Sequence, residues 1–325
     1  MKILVTGGAG FIGSHLVEKL VLNKNEVTVI DNLSTGRLLN MVTFIKKIKF
    51  IKKDINQVNN WDKILKKIDL VYHLAALADV VPSIENPEKY FEANVVGTKN
   101  ILQACKKFKV KKIIYTASSS CYGIPKNFPT KENEIISCMY PYALTKKIGE
   151  DLVLHYSQTY KLNCISLRLF NVYGPRSRTS GTYGAMFGVF LKQKLANKPL
   201  TVVGDGSQKR DFTFVTDVVD ALIKSQSYKG KYKIFNIGSG EAISINRIVK
   251  LMKSKKIYIP KRPAEPDITQ ADNLLAKKEL KWSPKIKIND GINILFKNIS
   301  YWKKAPLWTP KKIKLATKIW FETLQ

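Results

Sequence analysis

Cysteines and long hydrophobic runs are scarce in this chain of 325 residues. Cys105, Cys121, Cys138 and Cys164 are too few and too scattered for a disulfide framework or a zinc cluster, and we expect no metal. No apolar run approaches the roughly 18 residues of a membrane-spanning helix. Because the first residues already have the pattern of a strand, we expect no secretory leader. The few scattered cysteines indicate a reducing, cytoplasmic location.

Acidic residues and arginines are also scarce. The chain carries 55 Lys and Arg against 25 Asp and Glu, which gives a formal net charge of +30. Such an excess suits nucleic acid or an anionic membrane. However, only seven of the 55 are arginine, the residue favoured for bidentate phosphate and base recognition. We therefore interpret the charge as solvated lysine-rich surface and expect no specific nucleic-acid partner. The alternative, which belongs to a different functional class, is a non-catalytic dinucleotide- or RNA-binding protein that uses this charge to hold RNA.

Hydrophobic residues make up 45% of the chain and aromatic residues 10%, which suits a folded core. Apolar β-rich runs alternate with amphipathic stretches through the first half of the sequence. The β-rich runs lie at 2–6, 26–31, 48–51, 69–75, 112–117 and 163–169, and the amphipathic stretches at 13–22, 57–67, 90–108 and 142–160. This alternation predicts right-handed crossovers and an α/β, Rossmann-type, doubly wound parallel sheet.

The rhythm of strands and helices breaks at about residue 172, where loops rich in Gly, Ser and Arg begin. One further strand, at 233–238, is predicted to return to the sheet. We therefore predict a Rossmann domain from residues 1–172 plus 233–238. Residues 173–232 and 239–325 are predicted to form a smaller C-terminal α/β lobe. In such sheets a lobe over the carboxyl ends of the strands covers the ligand site.

The C-terminal tail is rich in tryptophan and basic residues. Thr309 followed by Pro310 is typical of a helix N-cap and first turn. The apolar residues predicted to share one face of that helix are Ile313, Ala316, Trp320 and Leu324. We expect this face to dock against the chain's own lobe or a subunit partner, and an interfacial membrane helix is the alternative.

The first fourteen residues have the pattern of a strand, a glycine loop and a helix start. Gly7, Gly10 and Gly13 follow an apolar run with three-residue spacing, and helical periodicity begins directly after them. In such a loop, backbone N–H groups and the positive helix end face a pyrophosphate, which the glycines allow to approach closely. Asp31 is the acidic companion expected about 20 residues later. The sequence therefore predicts a dinucleotide site.

Tyr142 and Lys146 lie four residues apart in a helical stretch, so both side chains share one face. A free tyrosine has a pKa of about 10, and lowering it by about 3 units requires roughly 4 kcal/mol of preferential stabilisation. A neighbouring ammonium and an oxidised nicotinamide would supply that stabilisation. Ser118 or Ser119, at the end of the predicted strand 112–117, could donate a hydrogen bond to the reacting oxygen and complete a proton-transfer trio.

The chain contains a series of short motifs that are weak signals singly but together are specific to one protein family. They are TGGAGFIG at 6–13, DNLSTG at 31–36, DI at 54–55, HLAA at 73–76, NVVGT at 94–98, SSSCYG at 118–123, YALTK at 142–146, LRLFNVYGPR at 167–176 and GDGSQKRDFTFV at 204–215. Over essentially its whole length, the chain resembles the extended short-chain dehydrogenase/reductases of the nucleotide-sugar epimerase/dehydratase family.

The resemblance implies an NAD cofactor. The residues that it places around NAD are Gly7, Gly10, Phe11, Ile12, Gly13, Asp31, Asn32, Ser34, Thr35, Gly36, Asp54, Ile55, Leu74, Ala75, Ala76, Asn94, Tyr142, Lys146 and Phe170. Asp31 would take the adenosine ribose hydroxyls, and because its carboxylate would repel a 2′-phosphate, NAD is favoured over NADP. Lys146 would hold the nicotinamide ribose, and Phe170 would pack near the cofactor.

The resemblance also implies a nucleotide-diphosphate sugar as the substrate. The positions similar to residues that bind the diphosphate and its ribose are Asn171, Arg210, Arg262 and Glu265, with Arg176 and Arg178 as weaker candidates. Arg210 and Arg262 come from distant segments and could clamp a diphosphate bidentately. The helices 90–108 and 142–160 resemble those that pair in homodimers of this family, so we expect a homodimer.

The residues after the fifth strand distinguish the subclasses of the family. Dehydratases usually have Thr-Asp-Glu there and decarboxylases keep the Glu, whereas Ser118-Ser119-Ser120 is typical of 4-epimerases. The resemblance implies that Tyr142 takes the C4 hydroxyl proton during a transient oxidation, and that the 4-keto sugar rotates before hydride returns. We predict an NAD-dependent nucleotide-sugar 4-epimerase acting on a UDP-hexose or UDP-N-acetylhexosamine. A 4,6-dehydratase, a decarboxylase or a reductase is the alternative.

Overall fold

A seven-stranded parallel sheet forms the centre of the computed structural model, which describes residues 1–57, 61–177 and 186–324. The strands are β1 (Lys2–Thr6), β2 (Glu26–Asp31), β3 (Lys49–Lys52), β4 (Leu70–His73), β5 (Lys112–Ser118), β6 (Cys164–Leu169), β7 (Val172–Tyr173), β8 (Leu200–Val203), β9 (Lys209–Asp211), β10 (Thr213–Phe214), β11 (Ile234–Ile237), β12 (Ala242–Ser244) and β13 (Lys256–Ile259). The order across the central sheet is β11-β6-β5-β4-β1-β2-β3, with every pairing parallel.

Helices cover both faces of this sheet and build most of the C-terminal part. They are α1 (Phe11–Leu22), α2 (Val80–Glu85), α3 (Pro87–Phe91), α4 (Gly97–Lys107), α5 (Pro141–Thr159), α6 (Met186–Leu195), α7 (Val215–Ser227), α8 (Ile245–Leu251), α9 (Leu274–Leu280), α10 (Ile288–Lys297), α11 (Pro310–Ala316) and α12 (Lys318–Thr323). The strand order reverses between β1 and β4, so a cleft opens there at the carboxyl ends of the strands. The predicted Rossmann-type sheet is therefore confirmed.

The predicted strands and helices differ from the observed ones mainly at their ends. The predicted strand 69–75 stops at His73, because the residues after it leave the sheet to line the cleft. The predicted helix 90–108 is interrupted by a π-helical segment, Glu92–Val96, between α3 and α4. The predicted helix 57–67 is a 3-10 helix at Trp61–Lys67, and residues 58–60 lie outside the described part of the chain.

Two apolar clusters flank the sheet and a third fills the C-terminal part. One face packs Leu16 of α1 and Leu222 of α7, and the other packs Ile101 of α4 and Val153 of α5. The third cluster includes Phe190 of α6. Helix α7 belongs to the sheet's own core, although residues 215–227 fall in the segment predicted as the lobe. The predicted division into two domains stays a prediction.

The C-terminal tail docks against the rest of the same chain. The Thr309 hydroxyl accepts a hydrogen bond from the Lys312 N–H and caps α11, as predicted. The tail is two short helices rather than the single predicted helix, because it breaks at Thr317 between α11 and α12. Ile313 and Trp320 of the predicted apolar face are buried by protein. Within the described residues, no helix has the length and apolar character needed to cross a bilayer.

A buried ion pair fixes helix α5 against strand β6. Arg168 Nη2 lies 2.6 Å from Glu150 Oε1, and the two side chains are 3% and 1% exposed. The Ser166 hydroxyl donates to Glu150 at 2.7 Å, and Arg168 also donates to the Tyr122 hydroxyl at 2.8 Å. Because every partner is hydrogen-bonded, the pair tolerates burial and sets the position of α5 on the sheet.

Breaking this pair should destabilise the protein strongly. We expect Arg168→Met to lower the free energy of unfolding by about 3–5 kcal/mol, because Glu150 would remain buried without its hydrogen-bonded cation. The measurement is urea unfolding followed by circular dichroism. Lys147→Ala is the matched control, since it removes an i,i+4 pair with the exposed Asp151 on the same helix and should cost less than about 1 kcal/mol. A similarly small loss for Arg168→Met would contradict this role.

Candidate active site

A cavity of about 680 Å³ lies at the carboxyl ends of the central strands. Its wall comes from the glycine loop after β1, from the ends of β2, β4 and β5, and from the first turn of α5. Residues from β9 and from the segment 262–266 close the other side. The cavity therefore lies where the switch point of the strand order predicts a ligand site.

The glycine loop is shaped for close approach of backbone to a ligand. Gly7 has a φ of +70°, and a Cβ there would lie 2.7 Å from the Ala75 nitrogen. A Cβ at Gly13 would lie 2.2 Å from the Gly7 carbonyl oxygen. Helix α1 begins at Phe11, and its first N–H groups have no acceptor within the helix. This loop and helix end therefore fit the pyrophosphate of a dinucleotide.

Asp31 lies at the end of β2 on the cavity wall. Its carboxylate accepts hydrogen bonds from the Ala9 N–H at 2.9 Å and the Leu33 N–H at 2.8 Å. Burial raises the pKa of Asp31, and these two N–H groups oppose the rise. A carboxylate has further lone pairs with which to accept ribose hydroxyls. Beside it, the Asn32 amide donates to Asp54 at 2.9 Å, so this end of the cavity is polar.

Of the predicted cofactor residues, Asn94 is used inside the protein rather than on the cavity wall. Its amide oxygen accepts from the Leu77 N–H at 2.8 Å, and its nitrogen donates to the Leu77 carbonyl and the Thr145 hydroxyl, each at 3.0 Å. Asn94 thus holds the segment after β4 against α5. Its predicted direct contact with the cofactor stays a prediction, and the structure adds this positioning role.

Gly36 and Phe170 also lie off the cavity wall. A Cβ at Gly36 would lie 2.8 Å from an Asp31 carboxylate oxygen, so this glycine makes room for that side chain. Phe170 is buried against Tyr122, with ring centroids 6.3 Å apart, and belongs to the core beneath the site. The structure shows these two residues packing within the protein, and their predicted contacts with the cofactor stay predictions.

The remaining residues of the predicted site all line this cavity. They are Gly7, Gly10, Phe11, Ile12, Gly13, Asp31, Asn32, Ser34, Thr35, Asp54, Ile55, Leu74, Ala75, Ala76, Ser118, Ser119, Tyr142, Lys146, Asn171, Arg210, Arg262 and Glu265. Arg176, a weaker candidate, also lines it and pairs with Glu18 at 2.7 Å. Arg178 lies outside the described residues.

Tyr142 lies in the first turn of α5, directly after Pro141. Burial raises the pKa of its phenol, Asp79 raises it further, and hydrogen bonding with Ser118 opposes both effects. The protein's own groups therefore favour the neutral phenol. The lowered pKa that we predicted includes the charge of an oxidised nicotinamide, and it stays a prediction for that state.

Lys146 lies one turn further along α5 and is 4% exposed. Its ammonium nitrogen lies 4.2 Å from the centroid of the Tyr115 ring. Burial lowers the pKa of Lys146 to about 7, although the charge of Glu150 opposes this change. Near neutral pH, Lys146 is thus poised between its charged and neutral forms, and an anionic or hydroxylated ligand can select the charged one.

Ser118 is oriented by the turn that follows β5. Its hydroxyl lies 2.7 Å from the Ser120 hydroxyl and accepts from the Ser120 N–H at 3.2 Å. These contacts cap the 3-10 helix Ser119–Tyr122 and fix Ser118 beside Tyr142. The predicted trio therefore comes together from β5 and α5, which pack against each other.

His73 in the HLAA segment is a neutral structural residue. Its Nδ1 lies 2.7 Å from the Thr6 hydroxyl and its Nε2 lies 2.9 Å from the Thr98 hydroxyl. Because Thr98 donates to the Asn94 carbonyl at 2.6 Å, the network assigns the proton to Nε2 of His73. Burial and the charge of Lys146 lower the pKa of His73 to about 3. This histidine ties β4 to β1 and α4.

Two arginines of the predicted substrate set, Arg210 and Arg262, line the same cavity as Tyr142, Lys146 and Ser118. Arg210 Nη2 lies 3.0 Å from Glu265 Oε1, and Arg262 Nη1 lies 3.8 Å from Glu265 Oε2. Glu265 therefore holds both guanidinium groups on the same wall. Two guanidinium groups in this arrangement can bind the oxygens of a diphosphate.

The cavity wall also contains residues that are absent from the predicted set, among them Asp79, Tyr140 and Trp320. The Tyr140 ring stacks at 7° on Tyr142, with centroids 6.4 Å apart. Two of them could have been found from neighbouring motifs, because Asp79 closely follows the HLAA motif and Tyr140 precedes the Tyr-x-x-x-Lys pair. Trp320 was predicted only as part of an apolar docking face, because its position on the cavity wall depends on tertiary structure.

The known proteins that resemble this chain agree with the geometry. The model of the NAD dependent epimerase/dehydratase family matches residues 3–238. The chain belongs to that family. The family prediction is therefore confirmed.

Members of the family with solved structures superpose closely on this chain. UDP-glucose 4-epimerase of Thermotoga maritima, solved with UDP-glucose, is 33% identical with a TM-score of 0.85, over 94% of this chain and 99% of that one. UDP-glucuronic acid 4-epimerase of Bacillus cereus, solved with UDP-glucuronic acid and NAD, is 35% identical with a TM-score of 0.85, over 92% and 99%. UDP-glucuronate 4-epimerase of Thermodesulfobacterium geofontis is 35% identical over 96% of this chain and 99% of its own length.

Replacing Lys146 should stabilise the protein in a pH-dependent way. Its pKa falls from 10.5 to about 7 on folding, so the unfolded chain binds more protons between these values and stability rises with pH there. Lys146→Met removes the penalty, and we expect a gain on the order of 4 kcal/mol at pH 6 that largely disappears by pH 10. The measurement is urea unfolding at pH 6, 8 and 10.

The exposed Lys250→Met is the control for this experiment and should show no pH-dependent gain. A Lys146→Met protein that is destabilised equally at pH 6 and pH 10 would contradict a buried cation at this position.

Proposed function

We propose that this protein is an NAD-dependent UDP-sugar 4-epimerase, acting on a UDP-hexose or a UDP-N-acetylhexosamine. The observation that carries the proposal is the content of one cavity. Tyr142, Lys146 and Ser118 lie on one side of it and a two-arginine anion site on the other, while positions 119 and 120 carry serine. A site with these groups can move a proton at a sugar hydroxyl and hold a diphosphate, without a carboxylate next to Ser118 to drive elimination.

NAD fits the half of the cavity formed by the glycine loop. The start of α1 would face its pyrophosphate, Asp31 its adenosine ribose, and Lys146 its nicotinamide ribose. Asp31 supports NAD over NADP, because a carboxylate would repel a 2′-phosphate. When bound, NAD accepts hydride from a sugar carbon and gives it back.

Tyr142 and Ser118 act on the C4 hydroxyl in this proposal. Tyr142 removes the hydroxyl proton as C4 is oxidised, and it returns that proton when C4 is reduced. Ser118 hydrogen-bonds the same oxygen, and its own contacts with Ser120 keep it in place. Burial favours the neutral phenol of Tyr142. In this proposal a protonated Lys146 on the same helix face and the charge of the oxidised cofactor stabilise its phenolate.

The arginines would hold the substrate while its sugar turns. Inversion at C4 requires the 4-keto sugar to present its other face, so the diphosphate must stay bound while the sugar moves. Arg210 and Arg262 supply charge-assisted hydrogen bonds for that purpose. The sugar can then rotate within the part of the cavity that lies between these arginines and Tyr142.

A nucleotide-sugar 4,6-dehydratase is the second candidate, and Asp79 is the observation that favours it. Its carboxylate lines the cavity and raises the pKa of Tyr142, so it lies near the reacting end of the sugar. In such an elimination a carboxylate takes the C5 proton, water leaves from C6, and hydride ends on C6. The product would be a 6-deoxy-4-keto sugar rather than a 4-epimer.

Incubation with UDP-glucose, UDP-N-acetylglucosamine and UDP-glucuronic acid, followed by proton NMR, tests these candidates. We expect at least one sugar to equilibrate with its 4-epimer. Tyr142→Phe should lower kcat by about 10²- to 10⁴-fold, because it removes the proton-transfer group. Tyr160→Phe, at the far and exposed end of α5, is the matched control and should leave kcat unchanged.

A 6-deoxy-4-keto product that disappears in Asp79→Asn would support the dehydratase instead. If the wild-type protein changes none of the sugars while retaining NAD, the proposed epimerase activity is wrong.

We also propose that the protein is a homodimer in a reducing, cytoplasmic compartment. The helices α4 and α5 are the elements through which pairing is expected, and α5 carries an exposed apolar residue, Leu144. All four cysteines are free thiols, which suits a reducing compartment. Sedimentation equilibrium tests the dimer, because one chain has a mass of 36.9 kDa.

A further inference from the structure

The segment 309–324, here called the C-terminal strap, forms part of the cavity wall. Its residue Trp320 lines the cavity and is only 6% exposed. The strap carries no residue of the predicted catalytic or binding sets. Its contribution to the site therefore requires a separate explanation.

Trp320 contacts the residues beside the reacting end of the cavity. Its indole N–H donates to the Pro263 carbonyl at 2.9 Å. The guanidinium carbon of Arg262 lies 5.3 Å from the centroid of the indole ring, within cation–π range. On another side, the Tyr140 ring centroid lies 6.3 Å away, and Tyr140 stacks on Tyr142. Trp320 thus connects the anion site with the tyrosine that carries the proton.

The strap is held at both ends, so the position of Trp320 is defined. Before α11, the Gln193 amide donates to the Trp308 carbonyl at 2.8 Å. Between the two short helices, the Thr317 hydroxyl donates to the Ile313 carbonyl at 2.8 Å. Helix α12 then packs on α2, which starts directly after Asp79. The strap therefore bridges the two sides of the cavity.

Arg262 forms a long ion pair with Glu265 on its other side. Its distance of 3.8 Å to Glu265 is long for a hydrogen-bonded pair, whereas Arg210 lies at 3.0 Å from the same carboxylate. An arginine side chain has large rotamer entropy. A flat aromatic surface that restricts it beforehand reduces the conformational entropy that is lost when the arginine binds a ligand. The Trp320 ring is placed to provide that surface.

We propose that Trp320 is a positioning residue for the diphosphate of the substrate, acting by holding Arg262 against the cavity wall. The inference rests on the proposed function and goes beyond it by giving the strap a part in substrate binding. Because the diphosphate does not change during inversion at C4, the contact contributes equally to the ground state and the transition state. Loss of Trp320 should therefore raise KM and leave kcat nearly unchanged.

Two substitutions separate the aromatic face from the bulk of the side chain. Trp320→Leu keeps apolar volume but removes the ring, and we expect it to raise KM for the UDP-sugar about 10-fold, with kcat changed less than about 2-fold. Trp320→Phe keeps a ring and should raise KM less than about 3-fold. Leu315→Ala, on the same strap and 76% exposed, is the matched control and should change neither value.

A double-mutant cycle shows whether the effect passes through Arg262. Once Arg262→Ala is present, Trp320→Leu should raise KM by less than about 2-fold, because the guanidinium that it positions is gone. Calorimetric titration with UDP should give the same pattern in Kd without turnover. If both Trp320 variants bind UDP as the wild type does, or if the two substitutions are additive, the inference is wrong.

The UDP titration also distinguishes failure of the inference from failure of the proposed function. If the protein binds UDP with the expected dependence on Trp320 but does not epimerise any sugar, the inference is retained and the proposed epimerase activity is wrong. If the protein is an active epimerase but its KM and UDP affinity are unchanged in the Trp320 variants, the proposed function is retained and the inference is wrong.

Discussion

All strands of the central sheet run in the same direction, and the candidate site depends on that constraint. Parallel pairing brings the ends of β1, β2, β4 and β5 to one edge, and the reversal of order between β1 and β4 opens a cleft there. Residues far apart in the chain, such as Gly7, Asp31 and Ser118, therefore meet in one cavity. The buried pair of Arg168 and Glu150 adds α5 to that edge.

Burial accompanies the packing that brings the site residues together, but it also disfavours the ionised forms of Tyr142 and Lys146 that the proposed reaction needs. Desolvation raises the pKa of Tyr142 and lowers that of Lys146, so the protein alone favours a neutral phenol and a partly neutral amine. A site of this kind responds strongly to any charge that enters it, because little water remains to screen the interaction. The charge of the nicotinamide and the proton on Lys146 would thus control when Tyr142 becomes a base.

Much of the site could be predicted because its residues have roles fixed by local geometry. The spacing of Gly7, Gly10 and Gly13, the position of Asp31, and the four-residue step from Tyr142 to Lys146 each determine which groups face the cavity. Asn94 could not be placed in this way, since a buried amide serves a backbone segment as readily as a ligand. Its two partners, Leu77 and Thr145, are neighbours only in the folded chain.

The C-terminal strap shows a second limit of prediction from sequence. Its apolar period indicated that Trp320 would be buried, and the structure buries it. The period contains no information on which surface covers the residue, and it does not indicate that the helix ends at Thr317, just before Trp320. That Trp320 lies beside Arg262 is a property of the tertiary fold alone.

In the proposed reaction, hydride leaves C4 of the sugar and returns to C4 within one cavity. Turnover of the preferred UDP-sugar in D₂O, followed by mass spectrometry and NMR of the product, tests this step. We expect a 4-epimer with no deuterium bound to any sugar carbon, because only hydroxyl protons exchange with solvent. Deuterium at C5 would show elimination and reprotonation, and deuterium at C4 would show loss of the hydride to solvent. Either result would contradict the proposed reaction.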